Sequence, residues 1–128
     1  MRKEAMAIER ALGGRLVGTR AMKNYVAEAV ALLPGEIQEF VTKTCWFLSS
    51  MDDAWASTFT GNDVNNQHLI FLSDDLLGQH PQQIRYTILH EIGHVVLGHR
   101  NAILANQSKR EIRKQEKEAD AFAKEVLS

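Results

Sequence analysis

The stretch YTILHEIGHVVLGH, residues 86–99, contains three of the chain's five histidines and decides what fold we expect. On a helical wheel with about 100° per residue, His90 and His94 fall about 40° apart on one face. The apolar residues of the stretch occupy the opposite side, namely Ile88, Leu89, Ile92, Val95 and Val96. The pattern therefore predicts a helix that is buried on its apolar side and carries metal-ligand side chains in front.

The spacing of His90 and His94 matches the H-E-x-x-H pattern of zinc enzymes. Two imidazoles one helical turn apart can direct a nitrogen each at the same ion. Glu91 lies between them, too close along the chain to serve easily as a third ligand. It is well placed to hold a metal-bound water and to take its proton, which makes it the candidate catalytic base.

A catalytic zinc needs a third protein ligand and leaves its fourth position to water. His99 is the nearest candidate, but on a continuing helix it would lie about 140° from His94, which favours a helix-end or surface histidine. Glu116 and Asp120 lie one turn apart on one face of the last predicted helix, whereas Glu118 lies about 160° from Glu116. We therefore predict that Glu116 binds the ion. Asp120 would accept a hydrogen bond from the outer nitrogen of a ligand histidine.

The rest of the chain predicts an α+β domain with a small sheet of about three strands. Apolar and aromatic segments separated by polar turns indicate strands, here KTCWFLSS (43–50), WASTFT (55–60) and QHLIFLS (67–73). Helical patterns and caps indicate helices at residues 3–12, from Thr19 to Pro34, in GEIQEFV (35–41), from Pro81 to Gly98, and from Ser108 onward. The N-terminal helices, the sheet, the histidine helix and the last helix follow one another without a linker.

Length and composition limit the classes of protein. The 128 residues predict one domain, residues 1–128. A net charge of −1 argues against direct nucleic-acid binding and against an anionic membrane surface. No apolar run approaches the roughly 20 residues of a membrane span, and Glu4 and Glu9 interrupt the only apolar stretch near the N-terminus. We therefore expect a cytoplasmic protein, with the single Cys45 as a small buried hydrophobe.

Two segments together resemble a known family. YTILHEIGHVVLGH followed by EKEADAFAKEVL (116–127) is similar to the ImmA/IrrE group of zinc metallopeptidases, within the gluzincins. That group combines H-E-x-x-H with E-x-E-A-x-x-F-A on the next helix, and the resemblance extends over residues 67–127. It implies a minimal zincin-like fold with the sheet over the active-site helix. It also implies one zinc per chain, bound by His90, His94 and Glu116, with Glu91 as catalytic base.

The resemblance further implies an endopeptidase that cuts a protein substrate, a transcriptional repressor or another DNA-binding regulator. The alternative is a zinc-binding interaction module of the same fold without significant proteolysis. Glu91 distinguishes the two, because a purely structural zinc has no use for a base beside its ligands. Structural zinc sites also favour cysteines and close all four positions, whereas the one cysteine here is on a predicted strand.

The sequence leaves several candidates for the group that would stabilise the oxyanion. Larger gluzincins supply a Tyr or His from a second domain, whereas we predict a single domain for this chain. Tyr86, His68, Tyr25 and His80 are all conceivable, although packing or exposure explains each of them as well. An activity that depends on a partner or activator is therefore also open, as are the oligomeric state and the role of the N-terminal helices.

Overall fold

The computed structural model describes residues 2–50, 56–59, 67–99 and 108–128. Within these ranges the chain is α+β, as the sequence predicts, with five α-helices and a four-stranded sheet. The helices are α1 (Lys3–Leu12), α2 (Arg20–Ala31), α3 (Gly35–Thr44), α4 (Pro81–Val96) and α5 (Lys109–Leu127). The strands are β1 (Leu16–Val17), β2 (Cys45–Ser50), β3 (Ala56–Phe59) and β4 (His68–Ser73). None of these helices combines the length and apolar character that crossing a membrane requires.

The sheet has the strand order β1-β2-β4-β3. The first three of these strands run parallel, and β3 is antiparallel to β4 at the edge of the sheet. Strand β1 was not predicted, because two residues are too few to show an alternating pattern; Leu16 and Val17 pair with β2. Trp55 and Thr60, the ends of the predicted strand WASTFT, lie outside the described residues.

Side-chain caps define where the helices begin. The hydroxyl of Thr19 accepts a hydrogen bond from the backbone N–H of Met22 at 3.2 Å. The hydroxyl of Ser108 accepts one from the N–H of Glu111 at 3.1 Å. Each cap satisfies an amide that the helix itself leaves unpaired. Helix α3 extends to Thr44, three residues beyond the predicted segment 35–41, and leads directly into β2.

Helix α4 is the central element of the fold. It packs against α2, α5, β3 and β4, and its apolar face is completely buried through Ile84, Ile88, Leu89 and Ile92. The apolar face thus fixes α4 in the core, so that its opposite face presents the histidines in a defined orientation.

Cys45 on β2 is buried as well, and this burial raises the pKa of its thiol to about 12.

Candidate metal centre

Close packing of α4 and α5 builds the site. Gly93 allows it, because a Cβ at this position would lie 3.0 Å from the Phe122 ring and 3.4 Å from the Cα of Ala119. Ala119 and Ala123 are fully buried in the same contact. Small residues on both helices therefore let α5 approach α4 next to the histidine motif.

This packing brings His90, His94 and Glu116 together. The Nε2 of His90 lies 2.9 Å from Oε2 of Glu116, and the Nε2 of His94 lies 3.1 Å from Oε1 of the same carboxylate. The two Nε2 atoms are 3.1 Å apart. One donor atom from each residue lies within 4.8 Å of the others, so the three side chains could hold a single ion.

The donor set fits zinc. A tetrahedral zinc with ligand distances of about 2.0–2.2 Å separates neighbouring donor atoms by about 3.3–3.6 Å, so the observed 2.9–3.1 Å needs an adjustment of a few tenths of an ångström. Two imidazole nitrogens that face each other at this distance repel unless a proton or a cation lies between them. Two histidines and one carboxylate are a donor set of catalytic zinc sites, which keep an open fourth position.

Glu91 lies beside the three donors without being one of them. It is 8% exposed, and its Oε2 is 4.0 Å from the Nε2 of His90. Its carboxylate can therefore take a proton from a water at the site. Burial lowers the pKa of His94, which favours the neutral imidazole that binds metals.

Asp120 contacts the outer nitrogen of His90. The Nδ1 of His90 is 2.8 Å from Oδ1 of Asp120, although the two groups are not aligned as a hydrogen bond and Nδ1 has no other partner among the described residues. The hydroxyl of Tyr86 donates to the same carboxylate oxygen. Burial, together with this hydrogen bond, raises the pKa of Tyr86 to about 12, so the phenol stays protonated as a donor. Tyr86 therefore holds Asp120 next to His90.

We expect Asp120→Ala to weaken zinc affinity about 10–100-fold without abolishing binding, because groups that orient ligand histidines contribute this much. Competition with a chelator of known affinity measures the change. Glu125→Ala, an exposed carboxylate on the same helix, is the matched control and should bind zinc like the wild type. An Asp120→Ala protein with unchanged affinity would mean that the contact with His90 does nothing for the metal.

The four residues considered for the oxyanion lie in different places. Tyr86 lies beside the metal-ligand residues, with its ring centroid 6.2 Å from that of His90. His80 caps the first turn of α4, at the opposite end of the helix from the motif. His68 packs against an aromatic ring of α3, and Tyr25 lies under an arginine side chain. Of these four side chains, only that of Tyr86 contacts a residue of the site, through the hydrogen bond from its hydroxyl to Asp120.

Of the two alternatives for His99, a helix-end or a surface histidine, the structure shows the first: His99 follows the end of α4 and is not on the surface. It is 8% exposed, and its Nδ1 lies 2.9 Å from Nδ1 of His94. Glu118, expected toward the far side of α5, lies 3.2 Å from the Nε2 of His99 through its Oε1. The sequence signal for His99 was Gly98, since a left-handed residue at a helix end turns the next residue back toward the helix. No sequence signal pointed to the contact of Glu118.

The C-terminal part of the chain matches a protein-family model. Residues 81–128 match the family model of Peptidase U49. This range spans α4 and α5 and therefore includes His90, His94 and Glu116 as well as Glu91 and Asp120. No curated protein and no solved structure matches the chain. The match supports a peptidase family for this chain, and it does not single out the ImmA/IrrE group.

Proposed function

We propose that the protein is a zinc-dependent endopeptidase of the ImmA/IrrE type, with one zinc per chain bound by His90, His94 and Glu116. The observation that carries the proposal is the convergence of these three donors within 4.8 Å, with a nearly buried carboxylate, Glu91, 4.0 Å from the first of them. The peptidase family match over residues 81–128 supports the reaction class.

Each residue then has a distinct role in peptide hydrolysis. Zinc, when bound, supplies a Lewis acid that lowers the pKa of water and polarises a carbonyl. Glu91 takes the proton of the attacking water and returns it to the leaving amine. Asp120 holds the imidazole of His90 in the orientation that points Nε2 into the site. A site that bound zinc only for stability would not need the carboxylate of Glu91.

The edge strand β3 offers a place for the substrate. It is the last strand of the sheet on that side, it pairs only with β4 among the described strands, and it packs close to α4. An extended peptide can add to such an edge through backbone hydrogen bonds. Backbone pairing places few demands on side chains, so disordered or locally unfolded protein segments would be cut in preference to folded domains.

The substrate that we propose is a DNA-binding regulator. This part of the proposal rests on the resemblance of residues 86–99 and 116–127 to ImmA/IrrE peptidases, whose known members cut transcriptional repressors. Such a substrate would reach the site through an extended linker that pairs with β3. The protein would thus relieve repression by cutting its partner.

The metal assignment is tested by elemental analysis of two neighbouring glutamates. Glu116→Ala should lose zinc, because one of three ligands is gone. Glu118→Ala is the matched control and should retain about one zinc per chain when the metal is saturating. Full retention in Glu116→Ala together with loss in Glu118→Ala would overturn the assignment.

Proline at Ser57 or Thr58 tests the edge-strand proposal. These neighbours pair with Phe71 and Ile70 of β4 in the antiparallel ladder. In such a ladder one of two successive N–H groups points to the partner strand and the other points away. Because proline removes the N–H, one variant should reduce cleavage while the sheet stays intact, and the other should also reduce stability.

The substrate for this experiment is a DNA-binding regulator encoded by a neighbouring gene, which the resemblance to ImmA/IrrE peptidases implies, and its cleavage sites are mapped by mass spectrometry. Unfolding measurements separate the effect on the sheet from the effect on the substrate. If both proline variants are folded and cut the regulator at the wild-type rate, the peptide does not pair with β3.

A further inference from the structure

The carboxyl end of α4 folds back onto the second histidine of the motif. Gly98 has φ of 71°, in the left-handed region that glycine adopts without strain. The N–H of His99 donates to the carbonyl of His94 at 2.9 Å, and the N–H of Gly98 donates to the carbonyl of Val95 at 3.1 Å. These two bonds are the Schellman arrangement of a helix end. They bring His99 back to the turn that contains His94.

The side chain of His99 makes a contact on each side of its ring. Its Nδ1 is 2.9 Å from Nδ1 of His94, and its Nε2 is 3.2 Å from Oε1 of Glu118. The imidazole itself is nearly buried, whereas the Glu118 side chain is 46% exposed. The contacts thus form a line from α5, through the end of α4, to the imidazole of His94.

Metal binding by His94 fixes which ring nitrogen carries the proton in His94 and in His99. The Nε2 of His94 faces Glu116 and His90, so this atom must present its lone pair to an ion, and Nδ1 then carries the proton. The Nδ1–H of His94 then donates a hydrogen bond to Nδ1 of His99, which must therefore be unprotonated. The proton of His99 is therefore on Nε2, the atom that lies 3.2 Å from Oε1 of Glu118. Each of the four ring nitrogens of His94 and His99 then faces a group of complementary character.

We propose that His99 and Glu118 are positioning residues that fix the tautomer and the ring orientation of His94. This inference rests on the proposed zinc site and extends it. The carboxylate of Glu118 selects the tautomer of His99, and His99 selects that of His94. The two ligand histidines are then each supported through the outer nitrogen, His90 by Asp120 and His94 by His99.

The test is the affinity for zinc alone, measured by chelator competition. We expect His99→Leu to weaken binding about 10–100-fold, since it keeps bulk and removes the acceptor. His99→Asn should recover most of the loss, because its side-chain oxygen can accept from the Nδ1 of His94. Glu118→Ala should weaken binding several-fold, less than His99→Leu because Glu118 is half exposed. Glu125→Ala, another exposed glutamate of α5, should have no effect.

Cobalt substitution gives a second readout. The visible spectrum of the cobalt protein should change in His99→Leu and return toward the wild type in His99→Asn, because it reports the geometry of the ligands. Wild-type zinc affinity in a folded His99→Leu protein, or an Asn variant no better than Leu, would overturn this proposal and leave the zinc site standing. A wild-type protein that binds no zinc would overturn both. Should His99→Leu fail to fold, an unchanged zinc affinity in Glu118→Ala would overturn the positioning role of His99 and Glu118.

Discussion

Replacing Glu91 by Gln should reduce peptide hydrolysis about 10²–10⁴-fold, the usual contribution of a general base. The amide has the size of the carboxylate but cannot take a proton at neutral pH. Since Glu91 is outside the group of three donors, the Glu91→Gln protein should still contain about one zinc and unfold at the wild-type temperature. Rates on a peptide substrate, with metal content measured on the same sample, give the comparison.

The matched control is Glu125→Gln, which makes the same chemical change on an exposed part of α5. Its rate and zinc content should equal those of the wild type. Equal activity of Glu91→Gln and wild type would favour the zinc-binding interaction module over the peptidase. Loss of zinc in Glu91→Gln would instead make Glu91 a ligand, contrary to its proposed role.

The second large effect is expected for His94→Ala, which should reduce zinc from about one per chain to none. His94 contributes one of three donors, and its imidazole contacts both of the others. A ligand that binds only the folded state stabilises it by about 4 kcal/mol at a concentration 1,000 times its Kd. Zinc should therefore raise the melting temperature of the wild type and leave that of His94→Ala unchanged.

His80→Ala is the control for this measurement, because it removes an imidazole from the other end of α4. The Nδ1 of His80 accepts a hydrogen bond from the N–H of Gln82 at 3.1 Å, and loss of such a cap costs about 1 kcal/mol. The variant should be slightly less stable but should retain the full zinc-dependent shift. Zinc content near one in His94→Ala would contradict the ligand assignment.

The elements with strong local signals could be predicted from the sequence. Helix α1 has the predicted bounds, residues 3–12, and the caps at Thr19 and Ser108 accept the expected backbone hydrogen bonds. The wheel also put Glu116 and Asp120 on one face of α5, and in the structure both contact His90. These features depend on residues within one or two turns of each other.

Features that depend on contacts between distant segments could not be predicted. Strand β1 exists because it pairs with β2, and two residues carry no pattern of their own. The wheel could not place His99, because its angle of about 140° holds only on a continuing helix and the backbone leaves the helix at Gly98. Glu118 looked remote because the wheel placed it about 160° from Glu116 on α5, and the wheel does not show which other segment lies on that side; in the structure it is His99.

The central claim, that this chain cuts peptide bonds with a zinc bound by α4 and α5, is tested most directly with a proteome-derived peptide library. Mass spectrometry of the library should reveal new peptide ends after incubation with the zinc-loaded wild type. These ends should be absent after removal of zinc by a chelator, return when one equivalent of zinc is added, and be absent with zinc-loaded Glu91→Gln. A library left intact by the zinc-loaded wild type, or cut at the same sites by Glu91→Gln, would contradict the account.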